Sequence, residues 1–437
     1  MWPVEVDTYP ASYGQESLWT ESGLSAVNVP AVLRLRGNLS LRRVRDVLDT
    51  LCARHDAFRT VLARDVRGVL EQRVARSGTI DLVAVQHNGL AVDAFPGLLL
   101  AGAERPFPVD GGPLALAELH SFGSLDHVLI VWLHHAISDL ASSQVVVDDL
   151  RHLFLGADPG PVRYQPSRFA VQERGVRIGS RLARYWTGAI ASADRRLGVP
   201  RPRGRMHRGI RPALPRLSTA VVDSLTLLAA ERRTTITAVL AAAMITGHVP
   251  EATGERVLVG LTKSNRDSPR LRSVVGCLAD QLPLVVDVGG DPTFAELVGR
   301  VRESMIDAFD HRAPLGALLP VLGCGEAPVF AVNLNFLPPR QAIPEPRGTD
   351  DLEVLDLAFP AGLVKARPDP WWLGEAVLDY RPRIDRHGLA GELEGDAGVH
   401  EPETVAWFGE RFSALLETVA EVPGLRLGEL TATVRAQ

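Results

Sequence analysis

Two adjacent histidines, His134 and His135, close a short apolar run, and Asp139 follows four residues after the second. The run from His127 to Leu133 (HVLIVWL) is continuous and rich in branched residues, which predicts a buried strand. After Asp139 the apolar residues recur at helical spacing, and Gly156 is a stop signal for that helix. We therefore predict a strand-to-helix turn, a position from which rigid scaffolds present catalytic side chains.

The three polar residues of this turn suit acid–base chemistry. His135 is a candidate base because imidazole exchanges its proton near neutral pH. Asp139 is placed to cap the following helix and to hold the turn through a cation from elsewhere in the chain. In the alternative interpretation, one histidine is packed, the other is solvated and Asp139 is only a cap. The clustering of three polar residues at the end of an apolar strand favours the functional interpretation.

Length and composition limit the class of protein. With 437 residues the chain is expected to form two lobes, and its net charge of −5 gives no basic signal for nucleic acid. Cys52, Cys277 and Cys324 form neither a zinc-binding pattern nor a disulfide framework, so no metal and a cytoplasmic location are expected. The sequence shows neither a signal peptide nor an apolar run long enough to span a membrane.

Periodicity predicts an α/β protein with strands and helices mixed in both halves. In the first half we predict a strand at Ala31–Leu35, a helix capped by Ser40, and a hairpin that joins Leu116–Phe122 to the strand ending at Leu133. The second-half helices are predicted at Ser218–Ala230, Thr235–Thr246, Phe294–Phe309 and Trp407–Val419, and the strands at Arg256–Leu261, Leu282–Val288 and Phe330–Phe336.

The segment from Arg174 to Pro215 is rich in Arg, Pro and Gly. This composition predicts an exposed linker between the two lobes. The alternative interpretation is a basic surface for an acidic partner.

Eight short segments match a known order of motifs. They are Ser12–Trp19 against S-x-A-Q-x-R-L-W, Arg54–Thr60 against R-H-E-x-L-R-T, Pro106–Leu114 against P-F-x-x-x-x-G-P-L, His134–Asp139 against H-H-x-x-x-D-G, Arg168–Val171 with Tyr185–Trp186 against the crossing segment, Asn265–Asp267 against G-R-D, Val275–Leu284 against V-G-x-F-V-N-T-L-P-L, and His311–Leu315 against H-Q-x-x-P-F. In this order the chain resembles, over nearly its whole length, the condensation domains of nonribosomal peptide synthetases.

The resemblance implies a fold and a role for each motif residue. It implies two lobes similar to chloramphenicol acetyltransferase, residues 1–174 and 175–437, arranged as a V around a tunnel. His135 would carry the chemistry and His134 would support the loop. Asp139 would be structural and would pair with Arg266 across the lobes.

The resemblance also implies the reaction and the partners. The enzyme would transfer an acyl or aminoacyl group from a phosphopantetheine thioester on a carrier protein to an amine or alcohol. It would bind no cofactor of its own. The partners would be an acyl or peptidyl carrier protein and an acceptor, with no nucleic acid and no membrane. We expect a free-standing, monomeric enzyme.

Three departures from the family pattern are informative. Leu140 stands where the signature has glycine, Ser17 replaces an arginine, and Asp280 falls near the asparagine of the V-N-T segment. Leu140, Ser138 and Asp280 are therefore candidates for shaping the tunnel. The alternative interpretation is ordinary drift in a divergent lineage.

Two other functions stay open on sequence alone. One is an acyltransferase of the same superfamily that uses acyl-coenzyme A, although the D-F-G-W-G segment of its plant members is absent. The other is a non-catalytic domain that docks a carrier or partner enzyme. The intact His134, His135 and Asp139 speak against docking alone, whereas Leu140 favours it.

Overall fold

The predicted elements appear in a computed structural model, which describes residues 5–20, 23–24, 28–89, 92, 95, 97, 99, 102, 105–108, 112–200, 209–323, 329–336, 338, 352–356 and 377–435. The strands are β1 (Val6–Pro10), β2 (Trp19–Thr20), β3 (Gly23–Leu24), β4 (Asn28–Gly37), β5 (Thr60–Arg64), β6 (Leu70–Ala75), β7 (Asp81–Gln86), β8 (Ala115–Ser121), β9 (Asp126–His134), β10 (Gly209–Ile210), β11 (Arg256–Lys263), β12 (Asp280–Asp287), β13 (Val332–Leu334), β14 (Leu352–Asp356), β15 (Leu378–Asp385) and β16 (Gly388–Asp396). The helices are α1 (Tyr13–Ser17), α2 (Leu41–Arg54), α3 (Leu140–Phe154), α4 (Pro166–Arg174), α5 (Ser180–Ala191), α6 (Thr219–Glu231), α7 (Ile236–His248), α8 (Phe294–Asp310), α9 (Leu315–Leu322), α10 (Pro402–Glu421) and α11 (Leu427–Arg435).

The first of two compact units is built around β9. It comprises Met1–Gly175, Ser264–Ala279 and Gln341–Arg367. Its main sheet has the order β14-β4-β9-β8-β7, in which β9 is central and antiparallel to both neighbours. From His127 to Leu133 every side chain of β9 is buried, which explains why the run is apolar without alternation. Helix α3 packs against β4 and α2.

The second unit comprises Val176–Lys263, Asp280–Arg340 and Pro368–Gln437. Its sheet has the order β10-β16-β15-β13-β11-β12 and mixes parallel and antiparallel pairs. Helix α7 is buried from Ala238 to His248 and packs against α8 and α10, so it is apolar on all sides. The mixed α/β class predicted from periodicity is therefore confirmed.

Most predicted elements lie where the sequence placed them. The predicted cap residues Ser40 and Asp139 begin α2 and α3, and β8 and β9 form the predicted hairpin. In the second half, α6, α7, α8 and α10 cover the four predicted helices, and β11, β12 and β13 overlap the three predicted strands. No helix in the described part of the chain is long and apolar enough to cross a bilayer.

The prediction of an exposed linker from Arg174 to Pro215 is wrong for the helix that the structure describes within this segment. Helix α5 lies inside this segment and buries Trp186 and Ile190 in the core of the second unit. Leu182, Trp186 and Ile190 recur every four residues, and this helical stripe is hidden by the surrounding Arg and Gly. Residues 201–208, which carry most of the basic motif, lie outside the described residues.

The packing of α5 predicts the effect of one truncation. The Trp186 indole is 1% exposed and donates to the carbonyl of His311 at 2.9 Å. Trp186→Ala should lower the free energy of unfolding by about 3–5 kcal/mol, because it leaves a large cavity. Chemical denaturation measures the loss, and Thr187→Ala on the exposed side of the same helix is the matched control. Equal stability of the two variants would contradict the packing of α5.

Candidate active site

The histidine turn connects the last residue of β9 to the first turn of α3. His134 ends the strand, residues His135–Ile137 form one short 3-10 turn, and Asp139 is the N-cap of α3. The Nδ1 atom of His134 accepts the Ala136 N–H at 3.0 Å, and the Ser138 hydroxyl donates to the His134 carbonyl at 3.0 Å. The predicted strand-to-helix turn is confirmed, and two of its own side chains hold its shape.

The two histidines have different surroundings. His134 is 1% exposed and meets the Phe107 ring edge-on, with 6.1 Å between ring centroids. Because its Nδ1 accepts a hydrogen bond, a neutral His134 carries its proton on Nε2. His135 is half-buried and so keeps part of its ring accessible. The geometry therefore makes His134 part of the scaffold of the turn.

Helix α1 supports the same turn from the N-terminus of the chain. The buried Gln15 donates from its side chain to the carbonyl of Ala136 at 3.1 Å. Ser12 and Gln15 cap α1 reciprocally, which fixes the direction of the Gln15 side chain. The first motif of the sequence thus positions the backbone beside His135.

The Asp139 carboxylate is the most fully hydrogen-bonded group of the site. Its Oδ1 accepts from the N–H and hydroxyl of Ser142, both at 2.8 Å. Its Oδ2 accepts from Arg266 Nη1 at 2.7 Å and from the N–H groups of Leu278 and Ala279 at 3.1 Å. Asp139 is therefore both the cap of α3 and the anchor of the segment that carries Arg266.

Charge and burial act in opposite directions on this carboxyl. Burial alone would raise the pKa of Asp139, but the Arg266 charge and the hydrogen bonds from Arg266 and Ser142 hold it below its usual range. The Arg266 guanidinium also donates to the Ser142 hydroxyl and to the Val274 and Gly276 carbonyls, at 3.0–3.3 Å. The pair is therefore ionised and well compensated.

The predicted Asp139–Arg266 pair is present, but its placement differs from the expectation. The sequence placed it across two lobes, whereas Ser264–Ala279 belongs to the same compact unit as Asp139. This segment is bound to the start of α3 because the carboxylate and hydroxyl of α3 satisfy its amides and its arginine. Arg266 thus binds the Ser264–Ala279 segment to the histidine turn and the start of α3.

The tunnel-shaping candidates fall in different environments. Ser138 is buried and its hydroxyl is engaged by the His134 carbonyl, while Leu140 is 48% exposed. Asp280 lies in the second unit, where Lys263 Nζ approaches it at 3.3 Å. Asp280 also accepts from the N–H groups of Gln281 and Leu315. Ser138 and Leu140 therefore flank Asp139 at the end of the histidine turn, whereas Asp280 contacts Lys263, Gln281 and Leu315.

Sequence reasoning missed two contacts of the site. Ser142 joins Asp139, Arg266 and Gly276 through one hydroxyl, and Cys277 Sγ lies 3.9 Å from Nδ1 of His135. The sequence could have predicted the contact of Ser142 with Asp139, because the residue three positions after an N-cap lies next to the capping side chain. Nothing in the spacing of the three cysteines indicated that one of them would meet a histidine more than a hundred residues away.

A second polar cluster fixes the far part of α3. The Asp149 carboxylate accepts from Arg54 at 2.7 Å and lies 2.6 Å from the His55 ring. Burial lowers the pKa of His55 although the hydrogen bond to Asp149 raises it. The R-H motif of α2 therefore has a structural task, which is to dock α2 on α3.

Among the described residues, no group of histidine, cysteine, aspartate and glutamate side chains is arranged to hold a metal ion. The site offers instead a half-buried imidazole on a rigid turn, next to a compensated carboxylate. This arrangement suits proton transfer to or from a substrate held at His135.

A family model matches most of the chain. Residues 5–354 match the family model of the condensation domain, so the chain belongs to the condensation domain family. Members of this family form amide bonds in natural-product biosynthesis, work on substrates carried as phosphopantetheine thioesters, and need no cofactor of their own.

Individual relatives are distant but cover the whole chain. Surfactin synthase subunit 1 of Bacillus subtilis is 28% identical over 99% of this chain, which spans only 12% of that relative. The structure of the SgcC5 protein from Streptomyces globisporus has a TM-score of 0.78 at 21% identity, covering 95% of this chain and 100% of that one. The X-domain from teicoplanin biosynthesis also has a TM-score of 0.78, at 22% identity, with 98% of both chains covered. The two solved structures show that the fold is shared.

The carboxylate network predicts a large effect of removing the arginine. Arg266→Met should lower the free energy of unfolding by about 3–5 kcal/mol, because it leaves a buried carboxylate without its charge partner. Adding Asp139→Asn to this variant should restore part of the loss. Denaturant titration measures both, with Arg270→Met on the exposed side of the same segment as the control. If Arg266→Met lost no more unfolding free energy than the control, the Asp139–Arg266 pair would not stabilise the fold.

The depressed pKa of Asp139 predicts a pH dependence of stability. A carboxyl whose folded pKa lies below its unfolded value, about 3.9, stabilises the fold above that value and loses the contribution as pH falls through the folded pKa. The stability difference between the parent and Asp139→Asn should therefore be full at pH 7 and shrink below about pH 4. Denaturation midpoints over this range check the trend, and a difference independent of pH would exclude an ionised Asp139.

Proposed function

We propose that this chain is a condensation enzyme that transfers an acyl or aminoacyl group from a carrier-protein phosphopantetheine thioester to an amine or alcohol. The observation that carries the proposal is the intact histidine turn, with His135 half-buried beside a fully hydrogen-bonded Asp139. A domain that only docked a partner would have no need of a basic side chain on so rigid a turn. The substrate and the carrier both belong to the proposal.

The proposed chemistry balances with one base. The nitrogen or oxygen of the acceptor attacks the thioester carbonyl, and His135 takes the proton that the acceptor loses. The tetrahedral intermediate collapses with cleavage of the C–S bond. The phosphopantetheine sulfur leaves and receives the proton, which restores neutral His135. Because the thioester is already activated, holding the two reactants in line supplies much of the rate enhancement.

The remaining residues act on His135 through the backbone. His134 and Ser138 hold the turn, and Asp139 with Arg266 fixes the start of α3. None of these side chains has to touch the substrate for the mechanism to work. Their substitution should disturb the fold and the reaction together, whereas substitution of His135 should affect the reaction alone.

The proposed mechanism allows either an amine or an alcohol as the acceptor, because each would lose one proton to the same base. The solved structure of SgcC5 contains 1-(2-naphthyl)-1,2-ethanediol, which is an alcohol. An assay for this chain should therefore include diols as well as amines. The chemistry of His135 is the same in either case.

Leu140 supports a second candidate, a domain that docks a carrier or partner enzyme without catalysis. Leu140 is 48% exposed at the first position of α3, where the family signature has a glycine, so its side chain is available to contact another protein or a carried acyl group. This function predicts carrier binding without turnover. Leu140→Gly would then weaken carrier binding but leave the product yield at the background level.

The proposed function predicts the outcome of one substitution. His135→Ala should lower the rate of transfer from an acyl-loaded carrier protein by about 10²–10⁴-fold, because the base is lost. Product formation is followed by intact-mass analysis, with a panel of amines and diols as acceptors. His152→Gln is the matched control, since the His152 ring lies in the last turn of α3 and bonds the Asp148 carbonyl of the same helix.

Two results would count against the proposal. Turnover of His135→Ala at the rate of the parent would exclude His135 as the base. Tight carrier binding with no transfer by the parent, across all acceptors tried, would favour the docking function.

A further inference from the structure

The sulfur of Cys277 and the imidazole of the proposed base lie side by side. Cys277 Sγ is 3.9 Å from Nδ1 of His135, a distance at which sulfur takes part in a weak hydrogen bond. Cys277 is 8% exposed, so this contact is screened from water. The sulfur therefore lies beside one of the two ring nitrogens, Nδ1, of the proposed base.

The backbone on both sides of Cys277 is fixed by the first turn of α3. The Gly276 N–H donates to the Ser142 hydroxyl at 3.0 Å, and the Leu278 N–H donates to Asp139 at 3.1 Å. At Gly276 itself a Cβ atom would lie 2.6 Å from the Pro166 ring, so only glycine fits there. These restraints set the sulfur position relative to the same turn that carries His135.

Gly14 provides the space for the sulfur on its other side. A Cβ atom at Gly14 would lie 3.0 Å from Cys277 Sγ, which is closer than ordinary van der Waals contact. Helix α1 is itself held on the histidine turn by the hydrogen bond from Gln15 to the Ala136 carbonyl. The sulfur is thus confined between Gly14 and the His135 ring.

We propose that Cys277 is a positioning residue for His135: its sulfur accepts the Nδ1 hydrogen, which places the lone pair of the neutral ring on Nε2, the nitrogen that takes the proton from the acceptor substrate. The proposal rests on the proposed function in that it assigns the tautomer of the same base. The hydrogen bond made by one ring nitrogen decides which nitrogen carries the proton. When Nε2 takes the proton from the acceptor, the Nδ1–H···S contact stays in place and strengthens.

The direction of the hydrogen bond has a measurable consequence. An acceptor at Nδ1 stabilises the protonated ring, so its removal should lower the pKa of His135. A thiol that donated to Nδ1 would stabilise the neutral ring, and its removal would raise that pKa. Other ionisable groups bear on the turn as well, namely His134 and the pair of Asp139 and Arg266, and they are unchanged in the test variants.

Kinetics of Cys277→Ala provide the first test. We expect kcat to fall on the order of tenfold, because the ring loses its orientation. We also expect the acid limb of the pH profile of kcat/KM to move to lower pH. Cys277→Ser, whose hydroxyl also accepts an N–H, should recover most of the rate and the parent profile. An acid limb that moves to higher pH, or a profile and rate that do not change, would overturn the proposal.

A structural readout is independent of turnover. Nitrogen NMR of protein labelled at its 12 histidines separates Nδ1-protonated from Nε2-protonated rings, and the His135 signals are assigned by their loss in His135→Gln. The parent should show the Nδ1–H tautomer near pH 8, and Cys277→Ala should lose this preference. An Nε2–H tautomer in the parent refutes the role of Cys277, whether or not the protein proves to be active.

Gly14→Ala tests the confinement of the sulfur without touching Cys277. Alanine favours a helix more than glycine does, so α1 itself should not suffer. The added methyl would lie 3.0 Å from the present position of Cys277 Sγ, so the sulfur has to move. Its contact with Nδ1, and the kinetic and NMR properties that depend on this contact, should therefore change. In the double variant the two effects should not add, since the sulfur is already absent. If the effects of Gly14→Ala and Cys277→Ala added in the double variant, Gly14 would not act through the Cys277 sulfur.

Discussion

One carboxylate, that of Asp139, joins two parts of the chain that are distant in sequence, the start of α3 and the Ser264–Ala279 segment. It caps α3, it accepts the Arg266 guanidinium, and it binds the amides of Leu278 and Ala279. A buried carboxylate is stable only when donors replace its lost water, and here five donors do so. The histidine turn, α3 and the Ser264–Ala279 segment therefore form one cooperative assembly.

The parts of this assembly that sequence could predict are local ones. The strand before His134, the turn and the helix after Asp139 all follow from periodicity and capping, since these depend on neighbouring residues. The pairing of Asp139 with Arg266 came from the motif resemblance, because no local rule joins residues so far apart. Its assignment to one compact unit needed the structure, since amide contacts from residues 278 and 279 leave no trace in side-chain chemistry.

The two features that the sequence did not reveal, helix α5 and the contact of Cys277, have the same physical origin. Helix α5 was concealed because the segment that contains it is rich in Arg, Pro and Gly, while its apolar stripe of Leu182, Trp186 and Ile190 is short. Cys277 has no sequence pattern, because its meaning comes from the space at Gly14 and from the ring of His135. Both the burial of α5 and the contact of Cys277 with His135 depend on long-range packing, which the composition of a segment does not show.

The anchoring of α3 also bears on how such a chain can diversify. The helix is fixed at its cap by Arg266 and again, about 15 Å further along, by the cluster at Asp149. Leu140 projects from this immobile backbone and is half exposed, so replacing it removes few packed contacts. Mutational drift at residue 140 is therefore nearly neutral for folding, and selection can explore new side chains there without first evolving a compensating change.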